Sequence, residues 1–497
     1  MSDNKKPYPI LDWSGGYCGN LPQDRLQTSQ ASNLDNIHIV PFGAGWRSRL
    51  GNSKQNSSAI NSGTVIQGLG YLFTSAAAER FGAVSGTKFY GSADTCATWT
   101  DRTGSLTITS GQNNKWSFCT FNDLLIGFGG SITAPDAPFK WTGGAVNAAA
   151  LGGSPPSALG CFSVNNRVFA FNTAAAPSTI YWSVLANAED WTGSGSGSAV
   201  VGSVADNEPI TGAAVLSANY VLVFKRASTY QMVISTAPFP IYSLFDQTGC
   251  VGKDAIVNVD GVVYWINQWG EMVSTNGDDL TQYPKTADDL WSARVTSRDP
   301  YIVGFREKGI DYDHIVWLMT NTGTTNNQAI IWDLQNKCWL RNTTGYKMNA
   351  VVLSNAGQSF LGDYAGFIYK PEQSGVYADA SETPPGTITA FWQTGWINPS
   401  TADEIVQVQK LTANYKTRAS GNITITYGFD FGSLSKSITL SQVPTSSETL
   451  TSRQSVLTGR GNYIQLKIAQ SSSTIDTYFT STILRGKVSG QKKISAP

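Results

Sequence analysis

The sequence predicts an all-β protein: a β-propeller of six or seven blades with an N-terminal arm and a small C-terminal β-sandwich. Three observations predict it. First, a motif returns roughly every 40 to 55 residues, a period that belongs to blade or solenoid architectures. Its copies are Phe121-Asn122-Asp123-Leu124-Leu125-Ile126, Val164-Asn165-Asn166-Arg167-Val168-Phe169, Ala218-Asn219-Tyr220-Val221-Leu222-Val223, Val259-Asp260-Gly261-Val262-Val263-Tyr264 and Tyr312-Asp313-His314-Ile315-Val316-Trp317. Asn, Asp and Gly tolerate the positive φ of tight hairpins, and the β-branched and aromatic run behind them suits a strand covered on both faces. Second, a further apolar column follows each copy, as in Phe139-Lys140-Trp141, Ile180-Tyr181-Trp182, Thr229-Tyr230-Gln231-Met232, Met272-Val273, Ile330-Ile331-Trp332 and Phe367-Ile368-Tyr369. That column reads as the third strand of each unit, and repeated antiparallel units of three or four strands are propeller blades. Third, helical patterning is nearly absent. Only Thr286-Ala287-Asp288-Asp289-Leu290-Trp291, with Thr286 as N-cap and acidic residues in the first turn, reads as one short helix.

Taken in chain order, residues 1–63 form the arm, with one strand over Leu34-Asp35-Asn36-Ile37-His38-Ile39-Val40 and a Ser- and Asn-rich end from Asn52 to Gly63. This arm can supply a strand that closes the propeller. Residues 64–397 carry the repeat, opening with Val65-Ile66-Gln67-Gly68-Leu69 and Phe81-Gly82-Ala83-Val84, and seven candidate blades can be counted. A linker, Ser381-Glu382-Thr383-Pro384-Pro385-Gly386, precedes a strand from Thr387 to Trp396. In residues 398–497 the motif disappears, and the alternation of Ile423-Thr424-Ile425-Thr426-Tyr427 and Tyr463-Ile464-Gln465-Leu466-Lys467-Ile468 reads as half-buried sandwich strands.

Composition narrows the function. The 497 residues are 41% hydrophobic and only 14% charged, well below the roughly 25% usual for soluble domains. Lys plus Arg and Asp plus Glu number 35 each, so no net basic field is present to hold nucleic acid through its phosphates. Cys18, Cys96, Cys119, Cys161, Cys250 and Cys338 are widely spread and never approach metal or redox spacing; they read as buried small apolar residues. Met1-Ser2-Asp3-Asn4-Lys5-Lys6-Pro7 is not followed by an apolar signal core, so synthesis in a reducing cytoplasm is expected. No run of eighteen apolar residues exists from which to build a membrane-spanning helix.

Chemistry-bearing constellations are few, and no catalytic residue, cofactor or metal ligand is expected. His38 and His314 lack ligand-spaced partners and read as ordinary strand or turn histidines. Gly193-Ser194-Gly195-Ser196-Gly197 is out of register with a nucleophile elbow and reads as a flexible connection. Ser92-Ala93-Asp94-Thr95-Cys96-Ala97-Thr98-Trp99 resembles the Asp-box of sialidase-type propellers, with Cys96 where those boxes carry Gly; the box is a structural hairpin in which Asp closes the turn. The 15 Trp, 20 Tyr and 21 Phe residues could stack on sugars, but many fall inside the blade motif, where packing accounts for them. Lys225-Arg226, Arg80 with Lys88, and Lys492-Lys493 read as solvated turns.

The stretch Asn33-Leu34-Asp35-Asn36-Ile37-His38-Ile39-Val40-Pro41, followed by Gly45-Trp46-Arg47-Ser48-Arg49-Leu50-Gly51, resembles the opening of tail nozzle proteins of short-tailed bacteriophages, also called packaged-DNA stabilisation proteins. In that family an Asn-apolar strand precedes an Arg-x-Arg-Pro-Gly-like turn; Leu50 stands here in place of the proline. Arg167-Val168-Phe169-Ala170-Phe171 with Ile180-Tyr181-Trp182-Ser183, and the terminal Gly461-Asn462-Tyr463-Ile464 and Leu484-Arg485-Gly486-Lys487, are similar to the same proteins. The resemblance implies a non-enzymatic virion protein of the tail, a hexameric ring below portal and adaptor that contacts tail fibres or needle. Genomic DNA would touch such a ring only transiently and non-specifically. It also marks Asn33, Trp46, Arg47, Arg49 and Gly51 as structural motif residues. The alternative is a carbohydrate-binding or glycan-cleaving propeller used in receptor recognition, which an exposed pocket with paired carboxylates would favour. A WD-type scaffold would need a Trp-Asp pair in every blade, and only Trp332-Asp333 occurs.

Overall fold

A computed structural model describes residues 6–203, 208–382, 385–399, 404–417, 421–442, 450–471 and 477–491. Residues 1–5, Thr383-Pro384 of the linker and the Lys492-Lys493 pair lie outside the described residues.

Seven four-stranded antiparallel sheets form the propeller, each meandering outward from its first strand. The inner strands are Ile66–Phe73, Trp116–Phe121, Ala158–Val164, Ile210–Val215, Val257–Val259, Val303–Lys308 and Met348–Leu353, which define blades 1 to 7. The repeated motif is the turn from first to second strand. At Asn122-Asp123, Asn165-Asn166 and Asp260-Gly261 both turn residues have positive φ, between 44° and 88°, as a hairpin matched to strand twist requires. Blades 4 and 6 differ. The Leu216 and Ser217 amides both donate to the Tyr220 carbonyl, and the Gly309 amide donates to that of Tyr312, so these turns sit earlier or run longer than the motif suggested. In blade 6, Asp313 already belongs to the strand Asp313–Met319.

Blade 7 takes its outer strand from the other end of the chain. Ser53–Lys54 pairs antiparallel with Ile368–Lys370, and the Asn56 side chain braces the junction by accepting from the Ile368 amide at 2.7 Å. The arm therefore closes the ring, as its position allowed. The rest of residues 6–63 is not an independent arm, however. Lys6–Ile10, Ile37–Ile39 and Trp46–Ser48 join the sheet built on Glu404–Thr417 and Thr477–Gln491. Gly16–Tyr17 and Gln30–Asp35 join Thr389–Thr394, Ile464–Ser471, Gly421–Phe429 and Lys436–Gln442 in a second sheet. The sandwich thus draws on both termini, and the strand over 389–394, expected at the end of the propeller, is one of its central members. Its interior is aromatic: Trp13 sits edge-on to Trp392 of one sheet (5.2 Å) and to Phe479 of the other (6.0 Å).

The one α-helix among the described residues, α1, spans Asp288–Ser292. Ala287 occupies its N-cap and no side chain caps it, so Thr286 does not play that part; the Thr286 carbonyl instead accepts from the Gly19 amide of the sandwich. Five of the six cysteines are buried, Cys161 is half-buried, and all six are free thiols. Gly193-Ser194-Gly195 forms a pinned turn, because the Gly195 carbonyl accepts from Arg167 (2.8 Å) and from the Trp182 indole (3.2 Å).

Candidate functional site: a buried polar junction and its cleft

Four of the five motif residues lie where the sandwich meets blades 6 and 7, and Trp46 lies inside the sandwich. The β-sheet register explains why. Asn36, at φ +55°, breaks the run 30–39 into two strands, one for each sheet of the sandwich, and presents its amide group inward. Its Oδ1 accepts from Arg49 Nε at 3.0 Å, its Nδ2 donates to the Thr389 carbonyl, and its backbone N–H donates to the Arg341 carbonyl of blade 6. Arg341 Nη2 donates in turn to Asn33 Oδ1 at 2.9 Å, and the Thr343 amide donates to Asp35. The strand of the sandwich is thereby laced to the outer strand of blade 6.

Arg49 is the centre of the lacing and is 2% exposed. Its guanidinium forms a two-pronged pair with the Asp379 carboxylate and donates to the carbonyls of Leu50 and Thr344. Burial opposes its charge, but Asp379 and the neighbouring Glu372 and Tyr346 hold it firmly protonated. A planar fork that satisfies several acceptors at once is what Arg supplies and Lys does not. Gly51 is required for closeness: a Cβ there would lie 2.1 Å from the Ala378 carbonyl, and its amide donates to the Val376 carbonyl at 2.7 Å. Trp46 stacks on Phe479 at 5.6 Å inside the sandwich. Arg47 points the other way, toward Asp311 of the blade 6 hairpin at 3.5 Å.

Beside this clamp lies a cleft of about 460 Å3, with Arg47, Glu307, Asp311, Tyr312, Glu372 and Tyr377 among its walls. Two of its carboxyl groups are buried and differ in state. Burial pushes Glu307 well above the ordinary carboxylate range, with the nearby Glu372 charge acting in the same direction. Burial would raise Glu372 as well, but His38, Arg49 and the Leu50 amide outweigh it and hold it below the ordinary value. The His38 Nε2 to Glu372 Oε2 distance is 2.8 Å, and the Leu50 amide donates to the same oxygen at 2.8 Å. His38 itself is lowered to about 4, because burial disfavours its charged form more than Glu372 favours it. At neutral pH the pair is therefore a neutral imidazole donating to a carboxylate. The His38 ring stacks on Tyr312 at 4.4 Å, and His314 lies 5.0 Å away.

His38 and His314, read separately as ordinary strand histidines, are thus strand residues brought together in one buried cluster. Glu307, Tyr312, Glu372 and Asp379 were not singled out from the sequence. Tyr312 precedes the strand Asp313–Met319 that carries His314, so strand alternation does not link the two. Nothing local announces Glu372, in a turn after the last blade strand, or Asp379, in the two-residue strand Ala378–Asp379 that pairs with Gly386–Thr387. The Asp94 box is structural, since its carboxylate accepts from the Thr98 amide (2.9 Å) and the Ser92 hydroxyl (2.8 Å), while the Trp99 indole donates to the Cys96 carbonyl (3.0 Å). Among the described residues no three His, Cys, Asp or Glu side chains converge as a metal site, and no helix is long and apolar enough to cross a membrane.

The inner strands of three neighbouring blades are tied together by side chains. The Lys115 ammonium, entering blade 2, reaches across to the carbonyl and Oδ1 of Asn349 on blade 7. Asn349 Nδ2 donates to the Ile66 carbonyl of blade 1, so three inner strands are tied at one level.

No protein-family model matches the chain, and no curated protein matches it. Among solved structures it is similar to YCF48 bound to D1 peptide, at 10% identity and TM-score 0.41 over 66% of this chain and 96% of that one. It is similar also to the WD40 propeller domain of Doa1 (12%, TM-score 0.41, 65% and 98%) and to a streptogramin B lyase (12%, TM-score 0.42, 65% and 97%). The chain is a seven-bladed β-propeller carrying a sandwich made from both of its ends.

Proposed function

We propose that the chain is a structural subunit of a bacteriophage tail, a ring-forming nozzle that retains packaged DNA and conducts it during ejection. The observation that carries this reading is the use made of Asn33, Trp46, Arg47, Arg49 and Gly51. Four of the five are engaged in holding sandwich to propeller or in filling the sandwich core, and Arg47 ties the same strand to a blade hairpin. A motif used for rigidity suits a load-bearing part better than a catalyst. The conduit would be a ring of copies with the channel between them, the hexamer that the resemblance implies. A balanced charge of 35 against 35 suits a lumen that lets phosphates slide without gripping them. Such a subunit assembles in the host cytoplasm and contacts adaptor or portal-proximal proteins on one side and fibres or needle on the other.

Electron microscopy of the purified protein and of virions is the test. A ring with an axial channel at the tail supports the reading, and a monomer absent from the tail axis overturns it. In the ring, Lys in place of lumen carboxylates should slow genome release.

One observation favours a second reading, a glycan-cleaving propeller: Glu307 and Glu372 share a cleft, one raised above and the other held below the ordinary carboxylate value, as acid and base pairs are. Against it, Glu372 is already bonded to His38 and Leu50. Hydrolysis of aryl glycosides that disappears in Glu307→Gln would establish this reading; no turnover would remove it.

A further inference from the structure

The end of the propeller at which the inner strands begin carries a second cavity, of about 480 Å3, remote in sequence from the clamp and built by blades 2 to 6. Its walls are mostly apolar, with Ile132, Leu159, Phe171, Ile210, Val251 and Pro300 among them. Its polar wall is basic. Lys115, Lys253 and Arg226 line it, and Arg298 lies between two further lining residues, its Nη1 donating to Asn113 at 2.6 Å and its guanidinium 4.2 Å from the Tyr301 ring centre.

The distribution of partners is uneven. Lys253 has Asp254 at 3.0 Å, and Arg226 has Asp299 at 3.9 Å, although Asp299 is already closer to Arg294 at 2.9 Å. Arg298 is 7% exposed, yet its Nε and Nη2 have no hydrogen-bond partner. Lys115 is 5% exposed and meets only the neutral acceptors of Asn349. Three basic side chains line this apolar hollow, against two carboxylates that are already committed, and Lys115 is buried with no anion of its own, which disfavours its charged form. Burial lowers Lys115 to about 7, and the Lys253 and Arg298 charges add to the effect while Asp254 opposes it.

We infer that this cavity binds a small organic acid, an apolar body with a single carboxylate, seated with its acid group toward Lys115 and Lys253 and its body against Phe171, Leu159 and Ile210. A charge-assisted hydrogen bond to the carboxylate would give Lys115 the anionic partner it lacks, and apolar walls would exclude a highly charged phosphate ester. The inference is independent of the tail reading and can fail or succeed without it.

The test is titration calorimetry of the intact protein with phenylacetate and with its neutral isostere, phenylacetamide. Phenylacetate should bind saturably, and the amide roughly tenfold or more weakly, the ratio expected when a charged partner is lost. Lys115→Met should weaken phenylacetate by a similar factor. Because that position is buried, Ile132→Asp supplies a variant at an exposed rim position: it should keep the melting temperature and lose phenylacetate through like-charge repulsion. Equal binding of acid and amide, no saturable phenylacetate binding, or unchanged binding in Ile132→Asp would overturn the inference.

Discussion

The two halves of the propeller are held together in different ways. Between blades 7 and 1, 1 and 2, 2 and 3, and 3 and 4, the apolar residues form four separate small clusters, each shared by neighbouring blades only. From blade 4 round to blade 7 there is instead one continuous core that also contains the interior of the sandwich, from Ile10 and Trp13 to Phe479 and Leu484. The first half follows the nearest-neighbour logic of repeat proteins, in which a perturbation stays where it is made. The second half joins residues more than 400 positions apart, and a perturbation there should reach both ends of the chain.

The largest effect should come from breaking the clamp that fastens the joined half. Arg49→Met removes one partner of a fully buried pair and leaves Asp379 uncompensated, which costs about 3–5 kcal/mol. Urea unfolding followed by tryptophan fluorescence should show sandwich and propeller losing stability together. The double replacement Arg49→Met with Asp379→Leu should recover much of the loss, since no charge is then stranded. A loss below about 1 kcal/mol in the single variant would mean that the clamp is not what unites the halves.

Acid should loosen the same junction. His38 titrates near 6.5 when unfolded and near 4 when folded, so between these values the unfolded chain binds more protons and stability falls as the pH falls. The shift is equivalent to about 3 kcal/mol at most. Glu372, held below its ordinary value, adds loss in the same direction as the pH drops through its folded value. Glu307 has the opposite sign: it is raised, so its contribution is complete in acid and declines as the pH rises. The net expectation is a steep fall in melting temperature from pH 6.5 to 4. His38→Gln, which keeps a donor for Glu372 without titrating there, should flatten it. An unchanged slope in that variant would place the acid sensitivity elsewhere.

The same division accounts for how much could be read from the sequence. The repeat, the third-strand column and the closing role of the arm were legible because each rests on local pattern: positive-φ turn residues, β-branched runs, a period. The motif Asn33 to Gly51 was visible as a motif, but its task was not, because Arg49 finds Asp379 and Asn33 finds Arg341 some 300 residues away. The sandwich was assigned to the C-terminus alone for the same reason. Strands such as Lys6–Ile10 carry little alternation of their own, and nothing in them reports a partner at Thr482 to Gly486. Chemistry hidden in such long-range meetings, the His38 and Glu372 pair above all, leaves no spacing to detect.

The smallest and sharpest test makes one chemical change in both halves. Ile180 of blade 3 belongs to the cluster shared by blades 3 and 4, whereas Ile330 of blade 6 belongs to the continuous core, and both are fully buried. Replacing either by Val deletes one methylene and should cost about 0.5–1.5 kcal/mol. The totals will be similar, so the comparison rests on where the loss is felt. Native-state hydrogen exchange should quicken in Ile180→Val only at amides of blades 3 and 4, because the open states there need not disturb other clusters. In Ile330→Val the faster exchange should extend to the sandwich strands Thr389–Thr394 and Ile464–Ser471, which share its core. If both variants show the same confined pattern, the continuous core is continuous only in contact and not in energy, and the nearest-neighbour description would hold round the whole ring.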